Sequence, residues 1–374
     1  LIPGLHPNMI ILILPVFFAL NAHPFSILAL IVSLAVVNSF VNFIPSFLLG
    51  APDSESAFGI LPGHALLSSG RGYEAVKLSV IGGVGAVLFC ILLLPVIVFA
   101  IPSLYDIARP YIWILLLSFA GMMIFSEKKK IISVLIFLLA GVIGILSSRL
   151  PIDKTLMLFP ILSGFFGISV LIVQIKSRSK IPKQEFKSDP VDKKNAIKSV
   201  VFGSFGGILS GILPGVGSSE IAGTATVDKN NKSFLITLGS ITSANILLSF
   251  LALWLIGNPR SGVAVALDHF MKIGFSEFIL IVVVTIISVS IAVLSTLVLS
   301  KKIIKSLERI NYSMVNKIAI IFLTVLIFTF TGPLGLLLAV VCSSLGIFFN
   351  LINIKRGLLM GVLIIPTILF YIGI

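Results

Sequence analysis

A chain of 374 residues that is 57% hydrophobic, 11% charged and has a mean hydropathy of +1.18 cannot fold as a soluble globule, because apolar runs of membrane-spanning size recur along its whole length. The formal net charge of +13 could suit nucleic acid, but the basic residues stand in short loops between apolar runs without interleaved aromatics, so they read as topology signals. Cys90 and Cys342 sit inside apolar runs, far from any Cys/His spacing, which argues against a disulfide or a metal site. The class expected is an all-α polytopic membrane protein.

In chain order, Leu1-Ile2-Pro3-Gly4-Leu5-His6-Pro7-Asn8 precedes Met9–Leu20, an apolar run short enough to be a half-helix. Spans are predicted at Phe25–Leu49, Ala75–Ile101, Tyr111–Phe125, Ile131–Leu146 and Leu156–Ile175. The polar, basic stretch Lys176–Lys198 reads as a linker between an N-terminal membrane repeat (1–175) and a C-terminal one (199–374). Beyond it the spans resume at Phe234–Ile256, Phe275–Ser300, Lys317–Phe330, Leu334–Phe349 and Gly357–Tyr371.

Between linker and next span lies the stretch of most interest, Gly203–Thr226. A small-residue helix runs into Leu213-Pro214-Gly215-Val216-Gly217-Ser218-Ser219-Glu220. Proline removes a backbone donor and Ser218 or Ser219 can cap a new start, so the helix is expected to break here at membrane depth. Free N–H and C=O groups are costly there unless they face protein, water or a bound solute, and a broken helix therefore reads as a binding site. The bland alternative is a proline kink with GxxxG-like packing at Gly203, Gly207 and Gly211, motifs that would also permit a homodimer.

The two halves repeat. An offset of 207 places Ser33, Asn38, Phe43, Leu48, Gly50, Pro52, Ser54 and Ala57 on Ser240, Asn245, Phe250, Leu255, Gly257, Pro259, Ser261 and Ala264. With a four-residue gap, Pro3-Gly4 falls on Pro214-Gly215, so each half carries a Pro-Gly break, an Asn-bearing helix and a Gly-x-Pro-x-Ser loop. If the most basic loops share the cytoplasmic side, only Arg109, Arg149, Lys154, Arg260 and Lys272 of the 27 basic residues fall outside. Five crossings then separate Phe25–Leu49 from Phe234–Ile256, provided the broken segment enters and leaves by one side; an odd number inverts the second copy. Inverted repeats with paired broken helices are a recurring construction of secondary transporters.

The candidate substrate-binding residues follow from this layout. Pro3, Gly4, His6 and Asn8 in one half, with Pro214, Gly215, Gly217, Ser218 and Ser219 in the other, would offer amides and hydroxyls to an anion, as helix N-termini do. Asn38 and Asn245 occupy equivalent positions, and the loops add Pro52, Asp53 and Ser54 opposite Pro259, Arg260 and Ser261. Arg260 is the cation best suited to a carboxylate through its two-pronged donors. Glu220, Asp53, Glu55 and His6 are candidates to couple transport to Na⁺ or H⁺; no other cofactor and no metal is expected. Arg71 with Glu74 reads as a local ion pair at a helix start.

Three stretches resemble the TctA family, the large membrane subunit of tripartite tricarboxylate transporters, and especially its stand-alone archaeal-type relatives. GILSGILPGVGSSEIAGTATVDKNNK is similar to the family's Gly-x-x-x-Gly-x-x-Pro-Gly motif; FLLGAPDSESAFGILPGHALLSSGRGYEAVKLSVIGG matches its second glycine-rich segment at Gly63, Gly70, Arg71, Glu74 and Ala75; Ser240–Ala264 resembles its second Asn-bearing helix and loop. The resemblance implies carboxylate transport, with a separate binding protein and a small membrane subunit as partners. Asp53 and Arg260 stand where the family usually has Gly, and Asn245 is preceded by Ala244 rather than a second Asn, so substrate and accessory subunits stay open.

The expected function is a secondary active transporter moving an anionic organic solute, a di- or tricarboxylate, across the cytoplasmic membrane by alternating access. Transport or flipping of a phosphate-bearing or lipid-linked anion, and a non-transporting scaffold, are the alternatives. An enzyme is disfavoured: no Gly-x-Ser-x-Gly elbow occurs, and His6, His23, His64 and His269 are scattered. A channel would need a continuous polar stripe along several spans.

Overall fold

The computed structural model describes residues 23–48, 60–176, 182–186, 189–212, 218, 221–222, 230–257, 261–307, 312–352, 354 and 356–373. Every regular element among them is helical: α1 (Pro24–Val41), α2 (Phe43–Leu48), α3 (Ile60–Ser68), α4 (Gly72–Leu92), α5 (Leu94–Ala108), α6 (Ile112–Phe125), α7 (Lys130–Ser147), α8 (Lys154–Leu162), a π-helical stretch (Ser163–Ile168), α9 (Ser169–Lys176), α10 (Lys193–Ile212), α11 (Asn231–Ile256), α12 (Gly262–Phe270), α13 (Phe275–Leu307), α14 (Tyr312–Leu351) and α15 (Gly361–Ile372). Eight stretches among the described residues are long and apolar enough to cross a membrane. The outward faces carry Leu92, Phe99, Ile131 and Leu294 largely exposed, as a lipid-facing surface requires. The protein is an all-α polytopic membrane protein.

Helix ends follow local chemistry. His23 caps α1 by accepting from the Phe25 N–H at 3.3 Å, with Pro24 in the first turn where its missing donor costs nothing. The Gly-x-Pro-x-Ser loop is stop-and-start punctuation: Gly257, at φ 65°, ends α11, and the Ser261 hydroxyl caps α12 by accepting from the Ala264 N–H at 3.2 Å. The span expected over Ala75–Ile101 is divided at Leu93, and Pro95 restarts the chain as α5. With α6 it makes one apolar stretch of 32 residues.

α14 folds back on itself. Leu323 lies beside Gly167 and Cys342 beside Gly164, positions about 5 Å apart on one helix, whereas an unbroken helix would separate 323 from 342 by about 28 Å. The reversal is at Gly332, whose φ of 67° and ψ of −165° are open only to glycine. The two spans expected over 317–349 are its two limbs.

Residue pairs fix the helix directions. Ser79 meets Leu235, Gly82 meets Ile236 and Gly83 meets Ser243, so α4 and α11 run parallel. Gly203 faces Ser240, Gly207 faces Ala244 and Gly211 faces Leu248, so α10 runs parallel to α11 as well. Phe40 of α1 packs at Gly83 and Leu48 of α2, which continues the same span, packs at Gly72, so this span is antiparallel to α4. Trp254 stacks on Phe278 at 4.5 Å, and the Lys301 ammonium lies 5.1 Å from the Tyr73 ring centre, so α13 is antiparallel to both α11 and α4.

The helices collect into two packed bodies, each drawn from both halves of the sequence. α1–α5 pack with α10–α13, whereas α6–α9 pack with α14 and α15. In the second body Gly144 meets the Val362 carbonyl and Gly346 meets Ser169. Among the described residues, contacts between the bodies are sparse away from the chain connections.

Candidate functional site

The chain doubles back at the predicted break. A Cβ on Gly206 would lie 3.0 Å from Ile221 and 3.2 Å from Ile241, yet a continuous helix would hold 206 and 221 about 22 Å apart. The parallel course of α10 and α11 requires the same return. The segment is therefore re-entrant, entering and leaving by one end of the molecule. The glycines read as dimer-permitting are used inside the chain, where Gly203, Gly207 and Gly211 let α10 lie against α11.

Of the candidate residues, Asn38, Ser218, Asn245 and Ser261 are described. Ser218, just past the break, is fully buried, and its hydroxyl finds no partner among the described residues. Asn245 lies beside the last turn of α10, its Oδ1 3.7 Å from where a Cβ on Gly211 would be. Phe40 of α1 and Ser243 of α11 converge on Gly83. Because these helices are antiparallel, Asn38 and Asn245 are each displaced about 3 Å from that contact in the same direction, and so share one level of the protein. Ser261 is committed elsewhere, to its cap and to Ser249 Oγ at 2.7 Å. Pro3, Gly4, His6, Asn8, Pro52, Asp53, Ser54, Glu55, Pro214, Gly215, Gly217, Ser219, Glu220, Pro259 and Arg260 lie outside the described residues.

Most hydroxyls in these spans bond to the carbonyl one turn back, as Thr242 does to Leu238 at 2.9 Å and Thr285 to Ile281 at 2.7 Å. Thr237 and Ser243 on α11 depart from that habit and, like Ser218, are buried without a partner among the described residues. Each such group costs about 1–3 kcal/mol if left unmatched; the Ser243 hydroxyl faces Gly83 of α4, and Thr237 stands at the level of Gly203 on α10. Thr237 and Ser243 carry no sequence motif; helical spacing on the Asn245 helix was the only available signal.

At the end where α4 and α11 begin, Glu74 is 1% exposed and ion-paired to Lys232 at 2.7 Å and Arg71 at 3.6 Å. Asp189 of the linker bonds to both Arg71 and Lys232. The Arg71–Glu74 pair expected from sequence is thus part of a four-charge network. Hydrogen bonding to Lys232 and its positive charge, with Arg71 adding to both, hold the Asp189 carboxyl below its ordinary 3.8. Gln184 is buried and clamps the α3–α4 turn, accepting from the Gly72 N–H at 2.9 Å and donating to the Leu67 carbonyl at 3.0 Å. Phe186 packs edge-on to Tyr73. The starts of α4 and α11, the linker residues Gln184 and Asp189 and the end of α13 thereby meet at one end. Among the described residues, no group of three or more His, Cys, Asp or Glu side chains comes together to hold a metal.

Apolar spans around a re-entrant segment are a construction that membrane transport proteins use. The family comparison agrees: residues 1–361 match the Tripartite tricarboxylate transporter TctA family, and the chain belongs to that family. It is 32% identical over 390 residues to the "Uncharacterized protein MJ1079" of Methanocaldococcus jannaschii, covering 100% of this chain and 95% of the relative. No solved structure matches. Members of the family are transporter components that work, in tripartite systems, with a binding protein and a small membrane subunit.

Proposed function

We propose that this chain is a secondary active transporter for an anionic organic solute, a di- or tricarboxylate, working by alternating access and coupled to Na⁺ or H⁺. The observation that carries the reading is the re-entrant segment beside α11, with the Ser218 hydroxyl buried behind the break without a partner among the described residues and Asn245 against its last helical turn. A helix start with free amides and hydroxyls suits a carboxylate. Glu220, Asp53, Glu55 and His6 are the coupling candidates, and Arg260 the loop cation for a carboxylate.

Two inverted repeats would supply the second access path. The offset of 207 relates α1 to α11 and α4 to α13, and both pairs run antiparallel; the contact of α1 with α13 corresponds to that of α4 with α11. This supports an inverted relation between the halves. The positive-inside rule puts the Lys232 end in the cytoplasm of a cell whose cytoplasmic membrane holds the protein. A binding protein and a small subunit would join it if this chain keeps the tripartite arrangement.

The test is uptake of labelled citrate, succinate and related acids into proteoliposomes, with and without Na⁺ and proton gradients. Gradient-dependent uptake that falls at least about tenfold in Ser218→Ala or Asn245→Ala is expected, because removing a hydrogen bond to a charged ligand costs about 1.5–3 kcal/mol. A folded protein that moves none of these acids would end the carboxylate reading.

A further inference from the structure

We infer that the moving boundary of this transporter lies between its two packed bodies and not between its two sequence halves. The inference rests on the transport reading above but specifies where that motion occurs. The body containing the re-entrant segment joins helices of both halves along a seam that has no room to open and close by side-chain adjustment. A Cβ on Gly82 would overlap the Ile236 carbonyl oxygen, and one on Gly239 would overlap the Ser79 carbonyl. Gly83 faces Ser243 and Phe40, and Gly85 faces Val200 of α10. Backbone-to-backbone packing of this kind is steeply distance-dependent, so separating 1–175 from 199–374 would forfeit the whole seam at once.

The polar contacts run the same way. Ser79 Oγ donates to the Leu235 carbonyl at 3.1 Å, Ser240 Oγ donates to the Gly82 carbonyl at 3.0 Å, and Ser33 and Ser288 hydroxyls meet at 3.0 Å. Every one of these bonds crosses from the first half to the second. Linker residues 182–186 and 189 also belong to this body, since Gln184, Glu185, Phe186 and Asp189 all bind residues of α3, α4, α11 or α13 or the turns beside them. Among the described residues, the first body makes only sparse backbone contacts with the second apart from the chain connections. A rigid unit carrying the break and shifting against its partner gives access to both sides without breaking the seam.

Two experiments decide it. In a Cys90→Ala/Cys342→Ala background, Ser33→Cys and Ser288→Cys sit close enough to be oxidised to a disulfide joining the two halves inside one body. Uptake of citrate by the oxidised protein within about twofold of the reduced protein is expected, whereas a loss of more than about tenfold that a reductant restores would overturn the inference. If the reduced protein moves no carboxylate at all, the transport reading has failed independently, and spin-label distances decide the boundary. Labels at Ser68→Cys and Lys302→Cys, in different halves of one body, should keep one narrow distance without ligand, with Na⁺ and with citrate. Labels at Ser68→Cys and Lys128→Cys, in one half but different bodies, should shift or show two distances. A shift confined to the first pair, or no shift in either, refutes the inference.

Discussion

The seam between α4 and α11 and the seam between α1 and α13 occupy corresponding places in the two halves, yet they are built differently. Where the first has Gly82, Gly83 and Gly239, the offset of 207 puts Val289, Ser290 and Val32 in the second. The glycine seam brings backbones together and, with α10 seated on Gly203, Gly207 and Gly211, makes a three-helix slab. In the second, Val32 and Val289 are buried side chains and the Ser33–Ser288 pair is the polar link. Corresponding positions therefore do not make exchangeable interfaces. Valines fitted into the glycine seam would drive methyl groups into carbonyl oxygens, so one seam is fixed in this form.

The sharpest way to break the contrast is to make the tight seam resemble the loose one. Gly82→Val or Gly239→Val should destabilise by roughly 3 kcal/mol or more, at or beyond the upper end of overpacking costs because backbone is the obstacle, and should appear as a collapsed thermal midpoint or loss of monodisperse protein in detergent. Next is the ion network at the end of that seam. Lys232→Ala should cost about 3 kcal/mol by leaving buried Glu74 short of its nearest partner, and Glu74→Gln combined with it should recover part of the loss in a double-mutant cycle.

The reverse substitution, Val289→Gly, is expected to cost roughly 2 kcal/mol through lost burial and helix propensity, less than its counterpart Gly82→Val. Gly332→Ala, away from both seams, should cost about 1–3 kcal/mol because its backbone angles admit only glycine, measurable as a lower unfolding midpoint. Smallest is the exposed Asp189. Its carboxyl is held below 3.8 in the folded protein, so its contribution is fully present above that ordinary value and is lost as pH falls toward the lowered one. Hydrogen exchange at the Glu185 amide, which bonds to the Gly70 carbonyl at 2.7 Å, should stay protected from about pH 5 to pH 8 once intrinsic rates are corrected, and Asp189→Asn should loosen it slightly throughout.

Much of this was legible before the structure. Long apolar runs announce helices because backbone groups in lipid must bond within their own segment, so the spans near α1, α7, α11 and α13 stand close to where hydropathy put them. The turn-back after α10 and the interruption between Gly257 and Ser261 were announced by proline and glycine chemistry that is local to a few residues. The network of Glu74 with Lys232 and Asp189 was half legible: Arg71 and Glu74 are three apart on a helix, while the other two charges arrive from 115 and 158 positions further along the chain. No local rule signals that meeting. That Thr237 and Ser243 lack a partner among the described residues was likewise not legible, since a hydroxyl in an apolar span ordinarily bonds one turn back.

The sequence by itself determined that the chain lives in a membrane, where most of its apolar helices lie, which family it resembles, and that one segment turns back after α10. Those properties depend on solvation and on backbone angles, which each residue carries wherever it lies. Only the tertiary structure decided that α10 and the residues after the break form a hairpin against α11, that α14 reverses at Gly332, and that helices of both halves share each body. These depend on which glycine faces which carbonyl across helices far apart in sequence, and a repulsion of that kind exists only once the chain is folded.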